Sequence, residues 1–330
     1  MALFRKLLLS FIKTVYKEKA CVFFIVKLAA LIGFIWGIAF QDLISLAQST
    51  KSLKYHIVMC ESLLTSTTQF YANAAVKQGE ILRVDVKNAT CTPNYSKPIG
   101  KVSLAGKTVR FFGDRTGHLM AIMPVSVFKK PGNYTLTITN PGGELVYTQP
   151  VNIIDARYKV QNIWVKKSTA GLKPLPGELE TIGALKKQIT NHRYWSPPFI
   201  TPTPDCENSP FGVKRRYNGK LSDHFHKGVD LRSPAGRPVK ATNAGKVMIA
   251  KNYRLHGGTV GIDHGHGLSS IYIHLSKILT QPGSIVKKGQ VIGHVGSTGF
   301  ASGPHLHWGL YVNGFAVNPN QWLPSVKKCY

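Results

Sequence analysis

Apolar and polar positions change their period several times along the chain. Residues 21–40 form a run of 20 residues whose only charge is Lys27. A helix of that length covers about 30 Å, one bilayer core. Arg5, Lys6, Lys13, Lys17 and Lys19 precede it. This cation bias predicts a cytoplasmic basic segment and an N-terminal transmembrane helix within residues 1–45, with the rest of the chain exported. The rival is a cleaved signal peptide, with Ser45-Leu46-Ala47 as the processing site and a secreted product. The long basic region and the full span favour the retained inner-membrane anchor.

From residue 80 the pattern becomes short apolar-rich runs, at 81–86, 101–104, 108–112, 118–123, 134–139 and 145–153. Turn chemistry separates them: Gly113-Asp114, Pro131-Gly132-Asn133 and Asn140-Pro141-Gly142-Gly143. This spacing predicts an antiparallel, Ig-like β-sandwich over 46–155. It carries no cluster of catalytic residue types, and His118 reads as a lone surface histidine. Residues 156–205 read as a linker with a short helix at 177–190, begun by Pro176 and followed by the stiffening prolines 197, 198, 202 and 204. Residues 206–330 follow those prolines as the last domain. The chain is therefore expected to be mainly β.

Composition narrows the class. With 330 residues, two domains plus an attachment are expected, and 43% hydrophobic residues exclude a disordered chain. The 42 basic against 15 acidic side chains give +27, which invites a nucleic-acid reading. The cations are spread along the whole chain, however, with no arginine-rich arm and no nucleic-acid module. An envelope protein working among anionic polymers is the better reading, with no nucleic-acid partner. Export permits disulfides: Cys60 and Cys91 flank the start of the first soluble domain, and Cys206 and Cys329 bracket the last, with connectivity open.

The chemistry gathers in the last third. Nine of the 12 histidines lie between His224 and His307, while Asp223, Asp230 and Asp263 are the only acids after residue 210. A lone Asp among histidines is a zinc-ligand composition. His305-Leu306-His307, if on a strand, sends both imidazoles to one face and Leu306 and Trp308 to the other. The duller alternative is a pair of surface histidines on an edge strand. His226 and Asp230 would lie about 13 Å apart on a straight strand, too far to share an ion. A turn through Lys227-Gly228 would bring them together.

These stretches closely resemble the LytM/lysostaphin-type zinc metallopeptidases, the M23 peptidases that cut peptide cross-links in bacterial cell walls. The resemblance rests on His226-Lys227-Gly228-Val229-Asp230, Pro234-Ala235-Gly236-Arg237-Pro238-Val239 and Tyr272-Ile273-His274-Leu275. It continues through Gly283, Val286, Lys288-Gly289-Gln290, Gly293, Gly296, Thr298-Gly299 and Gly303-Pro304-His305-Leu306-His307. It implies a compact antiparallel β catalytic domain of the duplicated hybrid motif type and a single Zn2+ held by His226, Asp230 and His307. It also implies His274 and His305 as catalytic histidines that do not bind the ion. Gly309 stands where many relatives carry a glutamate that is not a ligand. The implied function is endopeptidase action on peptidoglycan peptides outside the cytoplasmic membrane, under an unidentified regulatory partner if any. The alternative is a non-catalytic wall-binding or amidase-activator protein on the same fold. His264 and His266 are expected in a hairpin turn, and His224, His256 and His294 at the rim or surface. Arg215, Arg216, Tyr217 and Asn218 are expected to line the groove. The glycines from 283 to 303 read as tight β-turns rather than a phosphate cradle.

Overall fold

The computed structural model describes residues 68–87, 100–113 and 118–329. The membrane segment at 21–40, the processing site at 45–47 and the Cys60–Cys91 pair lie outside them. Among the described residues no helix is long and apolar enough to cross a membrane.

Two sheets build the first domain. Alternation of buried and exposed positions along Ile81–Lys87 and Gly132–Thr139 gives each strand one apolar face. One sheet orders the strands Gln69–Ala72, Ile81–Lys87, Leu119–Pro124 and Phe112–Gly113. The other orders Ala75–Lys77, Leu145–Ile154, Gly132–Thr139, Lys101–Leu104 and Lys107–Arg110. Val84, Val102, Leu119, Leu136 and Ile138 fill the space between them. One pair departs from the antiparallel expectation: Ala75–Lys77 runs parallel to Leu145–Ile154. His118 is not alone, since its Nε2 lies 2.8 Å from Asp85 Oδ1.

The second domain is a large sheet. Leu306–Val312 lies at its centre, with Leu268–Ile278 on one side and both Val229–Leu231 and Phe315–Val317 on the other. Gly257–Gly265 and Gly245–Tyr253 continue the order outward. Every residue of Leu306–Val312 and Gly257–Gly265 is buried, as expected for strands covered on both faces. Trp308, Tyr272 and Leu310 anchor the core. The Cys206–Cys329 disulfide is formed, and it clips the chain end beside the edge strand Glu207–Ser209.

Residues 156–205 do more than link. Val160–Ile163 pairs in parallel with Lys214–Tyr217, adding a strand to the catalytic side. Trp195 and Phe199 enter the main core. The helix Glu178–Lys187 buries Ile182 and Leu185 against Ile249, Ile271, Ile273 and Tyr311. Gly261 makes room for it, because a Cβ there would lie 2.5 Å from Leu185 Cδ2. The stiff-linker expectation failed because prolines and aromatics report local stiffness, whereas these side chains are held by distant strands. A second short helix, Lys167–Ala170, precedes this one.

The sandwich docks through Met120 and Ile122, which join the catalytic core. Phe112 stacks on His266 with centroids 4.0 Å apart, and Asn318 N–H donates to the Gly79 carbonyl at 2.7 Å. His266 lies in a hairpin turn and His264 in the strand that enters it, yet both are buried. His264 Nδ1 donates to the Ala244 carbonyl at 2.7 Å, and its Nε2 lies 2.8 Å from Ser270 Oγ. Burial pushes both imidazoles down to about 4.

These two histidines make the fold acid-sensitive. Their folded pKa lies below the unfolded value near 6.5, so the unfolded chain binds more protons between about pH 6.5 and 4. Stability is expected to be full above pH 6.5 and to fall on acidification through that window. For His264, fully buried, the loss is about 3 kcal/mol. Thermal melts from pH 7.5 to 4 check this, and a flat Tm across the window contradicts it.

Candidate metal and catalytic site

The site forms where two strands end beside one loop. Lys214–Tyr217 and Lys220–Phe225 make a hairpin, after which His226-Lys227-Gly228 turns into Val229–Leu231. That turn brings His226 Nε2 to 3.0 Å from Asp230 Oδ1. Gly228 is required by close approach: a Cβ would lie 2.4 Å from the Trp308 carbonyl oxygen and 2.8 Å from His307 Nε2. Asp230 is paired with His307 in the ladder, so His307 Nδ1 lies 2.8 Å from Asp230 Oδ1 and 3.0 Å from His226 Nε2. All three residues are buried. Leu306 and Trp308 point into the core, as the alternation along the strand requires.

Hydrogen-bond roles decide what this cluster can hold. His226 Nδ1 lies 2.9 Å from the Pro210 carbonyl, which can only accept, so Nδ1 carries the proton. Its Nε2 then turns a lone pair toward a carboxylate oxygen and another imidazole nitrogen. Converging lone pairs repel unless a cation lies among them, and two imidazoles with one carboxylate make a zinc-type donor set. The residues therefore fit the metal that the sequence implied.

Asp230 is an ion at neutral pH. Burial alone would raise its pKa, but the charge of the Arg215 guanidinium beside it holds it well below the usual carboxylate range. Its second oxygen, Oδ2, forms an ion pair with Arg215. Arg215 also donates to Ser209 Oγ at 3.0 Å, and Ser209 Oγ donates to Gln161 Oε1 at 2.6 Å. This chain leads from Asp230 to the strand Val160–Ile163, and nothing in a local motif signals it.

His274 and His305 stand side by side, with ring centroids 4.8 Å apart. His274 Nδ1 donates to the Thr298 carbonyl and His305 Nδ1 to the Gly303 carbonyl, each at 2.8 Å. Each therefore keeps an unprotonated Nε2 when neutral, and that of His305 lies 3.9 Å from Asp230 Oδ1. Burial, aided by neighbouring His305 and His307, pushes the pKa of His274 down to about 3. His274 has φ of 67°, inside a register shift of its strand, and such a bulge re-aims a side chain.

A groove crosses the site. One lobe, about 330 Å³, is lined by Gln161, Trp164, Asn208, Asp230, His274 and His305; the other, about 610 Å³, by Leu179, Lys186, Lys227, Ile273, His307 and Tyr311. Arg215 and Tyr217 border both lobes, but Arg216 and Asn218 do not. Asn218 instead exchanges hydrogen bonds at 2.9 Å with the backbone of Val165, holding the added strand in place. His256 is also more than a rim residue, because its Nδ1 lies 2.6 Å from the fully buried carboxylate of Glu178. Neither lobe is lined by a described residue of the sandwich.

A two-histidine, one-carboxylate centre at the end of a buried β-strand, flanked by two further histidines, defines a metallohydrolase-type site. Residues 224–319 match Peptidase family M23, and the C-terminal domain belongs to that family. The chain is 44% identical over 93 residues to the peptidoglycan DD-endopeptidase ShyA of Vibrio cholerae, covering 28% of this chain and 22% of that protein. It is 42% identical over 111 residues to lysostaphin of Staphylococcus staphylolyticus, covering 32% and 23%. These matches span about a quarter of the length of the curated relatives. A crystal structure of a candidate M23 peptidase from Pseudomonas aeruginosa superposes with a TM-score of 0.52 at 28% identity, covering 68% of this chain and 87% of the other. That likeness extends well beyond the catalytic domain.

Arg215 tests the geometry. Replacing it with Met removes the cation from Asp230 Oδ2 and is expected to weaken zinc affinity about 10- to 100-fold. Competition with a chromophoric chelator measures this, and an unchanged affinity would show that Asp230 needs no such partner.

Proposed function

We propose that this chain is a zinc-dependent endopeptidase that hydrolyses peptide cross-links of bacterial peptidoglycan, in the cell envelope or outside the cell. The carrying observation is the convergence of His226 Nε2, Asp230 Oδ1 and His307 Nδ1 beside two histidines that each present a free Nε2. Membership of the M23 family and the wall-cleaving names of the relatives support the substrate. The charge of +27 suits a protein held near an anionic wall by an N-terminal anchor.

His226, Asp230 and His307 would hold the ion. Zinc, when bound, supplies a Lewis acid for the water and for the carbonyl of the scissile bond. His274 and His305 do the proton work. One accepts a proton from the water as its oxygen attacks the carbonyl carbon. The other steadies the charge that develops on the carbonyl oxygen. As the C–N bond breaks, the proton returns to the departing nitrogen, leaving one new carboxylate and one new amine. His274, buried with its pKa pushed down to about 3, begins unprotonated and so suits the accepting role. A non-catalytic wall binder would gain nothing from this paired arrangement.

His305 is the residue to replace first. Apart from its place beside the site, its side chain is held by one hydrogen bond to Gly303. His305→Ala is expected to lower cleavage of purified peptidoglycan about 100- to 10,000-fold while zinc content and Tm hold. Wild-type protein should release new amino and carboxyl termini without new reducing sugar ends, and a chelator should stop it. Unchanged turnover in the variant, or release of sugar ends instead, overturns the reading.

A further inference from the structure

The wider lobe of the groove is electrostatically one-sided. No Asp or Glu lines it, while Lys186 and Lys227 do. Lys186 comes from the last turn of the helix Glu178–Lys187, on a segment outside the matched family region, and lines this lobe together with His226 and His307. Its ammonium lies 4.5 Å from the centroid of the Tyr311 ring. Among the described residues it has neither a hydrogen-bond acceptor nor a carboxylate.

The buried acid of the same helix offers no help. Glu178 is fully buried, and its carboxylate accepts from the backbone N–H groups of Leu175, Leu255 and His256 and from the His256 ring. Those bonds clamp the helix to the strand loop and fix where Lys186 stands. Burial pulls the Lys186 pKa down to about 8, as expected for a cation partly removed from water without a counter-ion. Lys227 lies close enough to act on both Tyr311 and His256. The same lobe has an aliphatic stretch of lining, made by Leu179, Ile182, Ile271 and Ile273.

We infer that Lys186, assisted by Lys227, forms a subsite for a carboxylate of the peptide being cleaved, with the aliphatic stretch taking the stem that carries it. The inference rests on the peptidase reading above and deepens it. An unpaired ammonium over an aromatic face is prepared for an anion, because the partner it lacks arrives with the substrate. The recognised group is either a side-chain carboxylate or the free C-terminus of the peptide. The helix from the connecting segment thereby acts as the specificity element of the groove.

Two cross-linked muropeptide dimers test this, one with free carboxylates and one with every carboxylate amidated. Cleavage is measured with zinc, and binding is measured with a chelator so that no turnover occurs. Wild-type protein is expected to favour the free dimer about tenfold in both assays. Lys186→Met should bring both preferences toward one, and Lys186→Arg should restore most of them. Circular dichroism melts confirm that both variants fold. Dimers amidated only at the side chain, or only at the C-terminus, identify which carboxylate is read. Equal handling of free and amidated dimers by wild-type protein overturns the subsite while leaving the peptidase standing, as does a preference that Lys186→Met leaves intact. If neither dimer is cleaved, the peptidase reading falls.

Discussion

Three atoms that would repel one another are held within 3.0 Å: His226 Nε2, Asp230 Oδ1 and His307 Nδ1. Much of the surrounding architecture serves this convergence. The ladder pairing of Asp230 with His307 sets two of the three, and the glycine turn at Gly228 delivers the third. The second carboxylate oxygen is tied to Arg215, and His226 is tied to the Pro210 carbonyl. Each tie removes an alternative orientation before a metal arrives, so binding need not order the ligands. An exposed site could relax the repulsion by turning side chains toward water, but this one is buried.

The connecting segment is the least expected part of the molecule. It supplies a strand beside Lys214–Tyr217, a helix on the opposite wall and the Gln161 end of the Asp230 network. The groove is thus bounded on both sides by residues outside the matched family region, while the sandwich packs elsewhere through Met120, Ile122 and Phe112. The metal ligands come from the matched region, while the connection supplies part of the walls that meet substrate. Among the described residues, the sandwich contributes none of the lining of the cleft.

Much of the site was legible in residue order. Alternation in His305-Leu306-His307 placed two imidazoles on one face, and the glycine in His226-Lys227-Gly228-Val229-Asp230 marked the turn that joins His226 to Asp230. The strands of the sandwich were legible too, because turn residues bracket each apolar run. By contrast, the burial of His264 and His266, the Glu178–His256 pair and the grip of Arg215 on Asp230 each join elements far apart in the chain. Local pattern carries no record of such partners.

The sequence by itself determined the mainly β character, the helix near residues 178–187 and the cluster of residue types that can hold a metal. These follow from periodicity, turn chemistry and spacing, which act over a few residues. Only the tertiary structure decided the tautomers, the charge on Asp230, the route of residues 156–205 across the catalytic domain and the lack of an acid partner for Lys186 among the described residues. Those depend on which backbone carbonyl or carboxylate arrives from a distant strand, and on how much water is excluded when it does.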